Sequence, residues 1–249
     1  SVFINFAKEG KKLGGLAGTH IAKKEINKRI ERDLGLRNYF NLASDFILFC
    51  AQNKIGKLKM SGPNSAFSME AYCASGGIRQ PYKNGQPAPK EIWNLQKRIE
   101  DCGYYIAPLY YPVVTSQRRH LYELINNGEH AQYLPHSNQN RFLTIRDEEE
   151  DLLKTALKEV PRNGWITYQK EIMKAVIGNI IFEPLTEGVL NSCNLESLLA
   201  EEELLELEEL IHEGVDKSRL CDIYTEPILE RYKRKCGNPS ELQGRVTAS

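Results

Sequence analysis

The spacing of apolar residues along the chain predicts helices over most of its length. The clearest pattern recurs every four positions, at Ala22, Ile26, Ile30 and Leu34. One face of an amphipathic helix has this period. We expect this helix to span residues 19–34, with Thr19 as its N-cap and Gly35 as the residue that ends it.

Other segments of the first half follow two patterns. Residues 39–51 are apolar on almost every side of a helix, which predicts a buried helix, and residues 89–102 and 117–127 have amphipathic patterns. Residues 104–114 are rich in aromatic and β-branched residues but are interrupted by Pro108 and Pro112. Proline cannot donate a ladder hydrogen bond, so this segment predicts extended structure at the edge of a sheet.

The second half has a more regular helical pattern. We expect one helix up to Val160, a second from Thr167 after a turn at Asn163-Gly164, and a third after Asn194. A last pair of helices, 218–224 and 226–235, is expected with Pro227 in the first turn of the second. The fold class is therefore mostly α with minor extended segments.

A polar stretch at residues 128–146 is the best candidate boundary between two parts. We predict a basic, Tyr-rich, α+β-like part at residues 1–143 and an acidic helical bundle at residues 144–249. Residues 61–89 contain four prolines and four glycines. A long irregular segment of this kind is typical of a binding loop.

Charge is distributed unevenly along a chain whose formal net charge is zero. The 249 residues hold 33 Lys and Arg and 33 Asp and Glu. Residues 1–146 hold 21 basic against 11 acidic residues, which is +10, and residues 147–249 hold 12 against 22, which is −10. Such asymmetry points to a polyanion as the partner of the basic half, although two oppositely charged halves can also neutralise each other.

The basic half carries the candidate binding residues. Lysine and arginine contact phosphates, and the aromatic faces of tyrosines stack on unpaired bases. Eight of the twelve tyrosines lie between Tyr72 and Tyr133, among several of these cations. The predicted nucleic-acid-binding residues are Lys24, Lys28, Arg32, Arg79, Lys83, Arg118, Arg119 and His120. The partner is expected to be RNA or DNA.

Two acidic runs belong to the second half. The run Asp147–Asp151 fits the first turn of a helix, where carboxylates favour the helix dipole, and Glu201–Glu209 fits a solvated helix face. Such a surface can also contact a protein partner or a neighbouring subunit, or compete with nucleic acid for the basic half. We therefore expect the acidic helices to contact a protein or to regulate access.

Several protein classes are excluded by missing motifs. The six cysteines include no CxxC pair, which excludes zinc ribbons and fingers, and reduced, mostly buried thiols in an intracellular protein are expected. No run of 18 apolar residues is present, so no membrane partner is expected. Phosphate loops, dinucleotide turns and nucleophile elbows are also missing. The glycine-rich segment Gly14–Gly18 is a weak candidate phosphate cradle.

Three functional hypotheses follow. The first is a nucleic-acid-binding protein that needs no cofactor. The second is a metal-dependent nuclease, with Mg²⁺ held by carboxylates and histidines distant in sequence; no catalytic residue or metal ligand is assigned to it. The third is a non-enzymatic scaffold whose oppositely charged halves join neighbouring subunits.

Overall fold

The computed structural model describes residues 12–60, 64–79, 82–83, 86–87, 91–128 and 148–236. Two compact units are present: unit 1 comprises residues 1–48 and 58–171, and unit 2 comprises residues 49–57 and 172–249. The predicted boundary between residues 143 and 144 lies outside the described residues. The boundary between the two units lies later in the chain, after residue 171, because residues 149–171 pack within unit 1.

The secondary structure is mainly helical, which confirms the predicted fold class. The strands are β1 (Lys12–Ile21), β2 (Ser65–Phe67), β3 (Tyr82–Lys83), β4 (Gln86–Pro87) and β5 (Tyr104–Val114). The first five helices are α1 (Lys24–Leu34), α2 (Tyr39–Gln52), α3 (Met69–Ala74), α4 (Glu91–Asp101) and α5 (Arg118–Asn127). They are followed by α6 (Glu149–Glu159), α7 (Arg162–Ile177), α8 (Glu183–Thr186), α9 (Glu201–His212) and α10 (Lys217–Cys236).

A three-stranded sheet forms the centre of unit 1. Its strand order is β2-β1-β5, with β1 antiparallel to β2 and parallel to β5. The prediction of an edge position for residues 104–114 is confirmed, since β5 pairs only with β1 among the described strands. Strand β1 is followed by α1, and β5 is followed by α5.

Glycines in β1 allow other groups to approach the central strand closely. A Cβ atom at Gly15 would lie 2.6 Å from the Ala66 carbonyl oxygen, and one at Gly18 would lie 2.2 Å from Asn64 Nδ2. The glycine-rich segment is therefore a buried strand and not a phosphate cradle. The expected N-cap at Thr19 is also wrong, because Thr19 lies within β1 and its hydroxyl contacts Ser44 Oγ at 2.6 Å.

The apolar faces of the helices fill the core of unit 1. Ile26 and Ile30 of α1 are buried, as the four-residue pattern predicts, and Gly35 ends the helix in the left-handed conformation at φ 63°. Leu95 and Ile99 of α4 pack against Ala71 of α3. Glycine suits the position of Gly35, after the end of α1, because it has no Cβ to clash at positive φ.

The described part of unit 2 contains helices and no strand. A π-helical segment, Gly178–Phe182, joins α7 to α8. Leu207 of α9 and Ile228 of α10 are fully buried. The expected break before Pro227 is wrong, because α10 continues through it as one helix. Likewise Asn163-Gly164 forms no turn between helices, since both residues belong to α7.

The two units keep the charge asymmetry in reduced form. Unit 1 holds 23 Lys and Arg against 18 Asp and Glu, and unit 2 holds 10 against 15, so their formal charges are +5 and −5. The asymmetry is halved because the acidic run at 147–151 belongs to unit 1. Among the helices of the described chain, none is long and apolar enough to span a membrane.

All six cysteines are free, but the expectation that most are buried is wrong. Cys50 and Cys221 are buried, Cys236 is half-buried, and Cys73, Cys102 and Cys193 are exposed. Burial raises the pKa of the Cys221 thiol to about 11. That thiol is therefore a poor nucleophile at neutral pH.

Candidate nucleic-acid interface

The first part of the candidate site is the basic row of α1. Burial of Ile26 and Ile30 turns the opposite side of the helix to solvent, where Lys24 and Lys28 are both exposed. Neither lysine has an ion pair with any other residue in the described ranges. Arg32 is also exposed, but its Nε lies 2.6 Å from Asp33 Oδ1. The row therefore offers two uncompensated cations and one compensated cation.

The second part is the beginning of α5. Arg118 is exposed, and its backbone N–H donates to Ser116 Oγ at 3.3 Å. In the described part of the chain its guanidinium has no ion pair. The preceding residue, Gln117, is the N-cap and is fully buried. The start of α5 thus exposes Arg118 to solvent directly after the buried Gln117.

Glu149 connects the beginnings of α1 and α5. Its carboxylate accepts a hydrogen bond from the Gln117 backbone N–H, and its other oxygen lies 2.8 Å from Lys23 Nζ. The Glu149 side chain is only 7% exposed, whereas that of Lys23 is 55% exposed. One buried carboxylate at the start of α6 therefore joins the residues that precede Lys24 and Arg118.

The sheet explains why two helices begin at this place. The parallel strands β1 and β5 end together, with Ile21 paired to Val114 and the Thr115 N–H donating to the Ile21 carbonyl at 3.0 Å. Each strand leads directly into a helix. In open α/β sheets, the carboxyl ends of parallel strands and the helix N-termini that follow them are where ligands bind.

Exposed tyrosines lie on β5 near this end. Tyr111 is 70% exposed and Tyr110 is 38% exposed. Asn64 Nδ2 donates both to the Thr19 carbonyl at 2.8 Å and to the Tyr111 carbonyl at 3.0 Å, so Tyr111 lies across from Thr19 near the end of β1. Aromatic side chains in such positions offer a face on which bases can stack.

Other members of the tyrosine cluster have structural roles. Tyr72 stacks on Phe67 with their ring centroids 5.2 Å apart. The Tyr104 hydroxyl donates to Glu70 Oε1 at 3.0 Å, and Glu70 also binds Lys12. These tyrosines are therefore not part of an open stacking surface.

The His120 side chain is only 12% exposed, so its position in unit 1 does not favour the predicted contact with nucleic acid. Burial, followed by the positive charge of Arg119, lowers the pKa of His120 to about 3. The imidazole is therefore neutral at physiological pH and cannot attract a phosphate by charge. Its ring packs edge-on against Phe40, with their centroids 4.6 Å apart.

A buried hydrogen-bonded chain holds His120 in place. The Tyr168 hydroxyl donates to Glu123 Oε2 at 2.6 Å, which leaves its oxygen to accept from His120 Nδ1 at 2.8 Å. Arg119 Nε donates to the other Glu123 oxygen at 3.2 Å. Arg119 thus neutralises a buried carboxylate instead of extending the exposed basic group at Arg118.

The remaining predicted residues lie apart from these contacts. Arg79 is exposed in the loop after α3, where its Nε lies 3.4 Å from the Gly76 carbonyl oxygen. Lys83 belongs to the short strand β3, and its side chain is outside the described part of the structure. Of the predicted set, Lys24, Lys28 and Arg118 therefore lie on the two helices whose beginnings Glu149 connects.

Sequence reasoning missed Glu149 and the Glu123–Tyr168 pair. Glu149 shares one helix face with Leu152, Leu153 and Ala156, which are all buried. That spacing could have identified Glu149 as an inward-facing member of the acidic run. Tyr168 is 45 positions from Glu123, and no local pattern indicates their contact.

The described structure contains no obvious metal site. No group of three or more His, Cys, Asp or Glu side chains that could hold a metal ion occurs among the residues it covers. Comparison of the chain with models of protein families, with curated proteins and with solved structures found no match in any of the three.

Proposed function

We propose that unit 1 binds single-stranded RNA or DNA through the cations at the beginnings of α1 and α5. The observation that carries this proposal is the placement of Lys24, Lys28 and Arg118. All three are exposed, lack an ion pair among the described residues, and lie on two helices joined through Glu149. Cations of this kind neutralise phosphates and release the counterions condensed on the nucleic acid, which is the main source of nucleic-acid affinity.

The exposed Tyr110 and Tyr111 favour single strands over duplexes. Bases are free to stack on an aromatic side chain only when they are unpaired. Both tyrosines lie on the strand that leads into α5, before Arg118. A strand of nucleic acid could therefore place its phosphates on the helix cations and its bases on β5.

The salt dependence of binding tests the proposal quantitatively. Each phosphate contact to a single strand contributes roughly 0.7 to the slope of log affinity against log salt. Three contacts give a slope of about −2, so affinity should fall about twentyfold between 50 and 200 mM salt. Fluorescence anisotropy of labelled single-stranded RNA, single-stranded DNA and duplex DNA measures this slope directly.

The decisive variant is K24A/K28A/R118A. It should weaken binding by at least about tenfold at 50 mM salt and reduce the salt slope by about 2. The matched control is K97A/K158A, which removes exposed lysines of α4 and of the last turn of α6. Lys158 is nine residues from Glu149, about 14 Å along the helix. Equal losses in both variants, or no binding by the unaltered protein, would refute the proposal.

Parallel samples with Mg²⁺ and with EDTA address the nuclease hypothesis. Shortening of the labelled strand only with Mg²⁺ would identify an enzyme. Sedimentation of the same samples tests the scaffold hypothesis, which requires salt-sensitive oligomers without nucleic-acid binding. These measurements separate the three functional classes in one set of conditions.

The role of the acidic helices as a protein-contacting or regulatory surface stays a prediction. Glu203 and Glu208 of α9 have structural partners, since Glu203 accepts from the Ala200 N–H and Glu208 accepts from the Ser192 hydroxyl. The helix also carries exposed carboxylates and one leucine that is 58% exposed. These residues are Glu201, Glu202, Glu206, Glu209 and Leu205.

A further inference from the structure

We propose that Arg29 of α1 is an additional phosphate-binding residue. The carboxylate of Glu150 of α6 competes with phosphate for Arg29 and thereby lowers the affinity of unit 1 for nucleic acid. This inference rests on the proposed function, because it concerns the regulation of the same binding face. It assigns a role to an acidic residue whose contribution to stability is small.

The guanidinium of Arg29 has acidic neighbours but loose contacts. Its Nε lies 3.6 Å from Asp33 Oδ2, and its Nη1 lies 3.9 Å from Glu150 Oε1. Both distances exceed the roughly 3.2 Å of an N–H···O hydrogen bond. Arg29 Nε is buried and has no hydrogen-bond partner in the described structure. The donors of Arg29 are therefore electrostatically compensated but not hydrogen-bonded.

A phosphate is a better partner than these carboxylates for such a group. The planar guanidinium can donate two parallel hydrogen bonds to phosphate oxygens, which shortens the contact and adds specificity. The Arg29 side chain is 32% exposed although its Nε is buried, so a phosphate can reach it from solvent through the two Nη groups. Arg29 is three residues before Arg32 on α1, so its side chain neighbours the last residue of the basic row.

Glu150 competes with a phosphate for this position. Its side chain is 73% exposed and lies 3.9 Å from both Arg29 Nη1 and Lys154 Nζ. Lys154 is bound more closely by Asp151, at 3.0 Å. Exposed ion pairs of this length add little to folding stability. The main effect of the Glu150 charge is therefore on anions that approach Arg29.

Glu149 and Glu150 thus have different roles although they are adjacent. Glu149 is buried and joins two helix beginnings, so its removal would disturb the fold. Glu150 can be neutralised without loss of a buried contact. A substitution at Glu150 therefore tests regulation separately from stability.

The experiment is a double-mutant cycle on binding to single-stranded RNA at 50 mM salt, with E150Q, R29A and E150Q/R29A. We expect E150Q to raise affinity at least about threefold, to steepen the salt slope by about 0.7, and to lose its effect in the R29A background. The matched control is E159Q, an exposed carboxylate at the other end of α6, which should change affinity less than E150Q. E150Q/R29K, which keeps the positive charge but loses the two parallel hydrogen bonds of a guanidinium, should bind more weakly than E150Q.

The outcomes separate this inference from the proposed function. If the unaltered protein binds with the expected salt slope but E150Q equals E159Q, the role of Glu150 is refuted and the binding face stands. An equal gain from E150Q with and without Arg29 would refute the role of Arg29. If neither the unaltered protein nor any variant binds, the proposed function itself fails. Thermal melting of each variant shows whether it remains folded.

Discussion

Buried His120 should make unit 1 less stable as the pH falls below neutrality. The pKa of His120 is lowered to about 3, first by burial and then by the charge of Arg119, whereas in the unfolded chain it returns to about 6.5. The unfolded state therefore binds one more proton between these values. The stabilising contribution of the neutral imidazole is complete above pH 6.5 and is lost progressively as the pH falls toward 3.

The magnitude follows from the two pKa values. Between pH 7.5 and pH 5.5 the loss amounts to about 1.4 kcal/mol, a tenfold change in the unfolding equilibrium. Partial burial also lowers the pKa of the half-buried His20, so His20 adds to this effect. Carboxylates whose pKa is lowered, such as Asp33 and Glu70, lose their contribution mainly below about pH 4.5. The range from pH 5.5 to 7.5 therefore reports mainly on histidines.

The assay is urea unfolding followed by tryptophan fluorescence at pH 7.5, 6.5 and 5.5. Both tryptophans, Trp93 and Trp165, belong to unit 1, so the signal reports on that unit alone. H120N lacks the titrating group and should lose about 1.4 kcal/mol less than the unaltered protein over this range. The control H212Q removes an exposed histidine of unit 2 and should retain the full loss. Identical pH dependence in H120N and the unaltered protein would refute a buried neutral His120.

Two further substitutions test the buried chain and the stacking surface. Y168F removes a hydroxyl that contacts both Glu123 and His120. It should lower the free energy of unfolding of unit 1 by about 2 kcal/mol in the same urea assay. A loss below about 0.5 kcal/mol would contradict these two hydrogen bonds. Y111A removes a ring that is 70% exposed. It should weaken the binding of single-stranded RNA at least about fivefold and have little effect on the binding of duplex DNA, both measured by fluorescence anisotropy. Equal effects on both nucleic acids would argue against base stacking on Tyr111.

Local patterns predicted those parts of the fold that depend on one face of one helix. The stripe through Ile26 and Ile30 and the stop at Gly35 are both observed, because they need only a core on one side and a glycine at positive φ. Strand β1 was not predicted, since glycines usually weaken strands. Its glycines are explained by residues distant in sequence, such as Ala66 and Asn64, which approach the backbone too closely for a Cβ.

In the candidate site, too, local sequence patterns predict only what depends on one face of one helix. Exposure of Lys24 and Lys28 follows from their position opposite the buried stripe. His120 was grouped with Arg118 because the two are close in sequence. On α5, however, His120 shares a face with Glu123 and Leu124, both buried. The helical period places Arg118 and His120 about 200° apart, so the basic run is divided between solvent and core.

Charge count and charge accessibility therefore lead to different expectations for binding. Eight contacts of the kind predicted from sequence would give a salt slope of roughly −6 for a single strand, whereas the three cations of the proposed binding face, Lys24, Lys28 and Arg118, give about −2. The difference arises because Asp33 compensates Arg32, Glu123 compensates Arg119, His120 is neutral, and Arg79 and Lys83 do not belong to the binding face. A slope near −2 would show that the ion pairs of Arg32 and Arg119 survive in the complex. A slope of about −3.5 would show that nucleic acid displaces both of them.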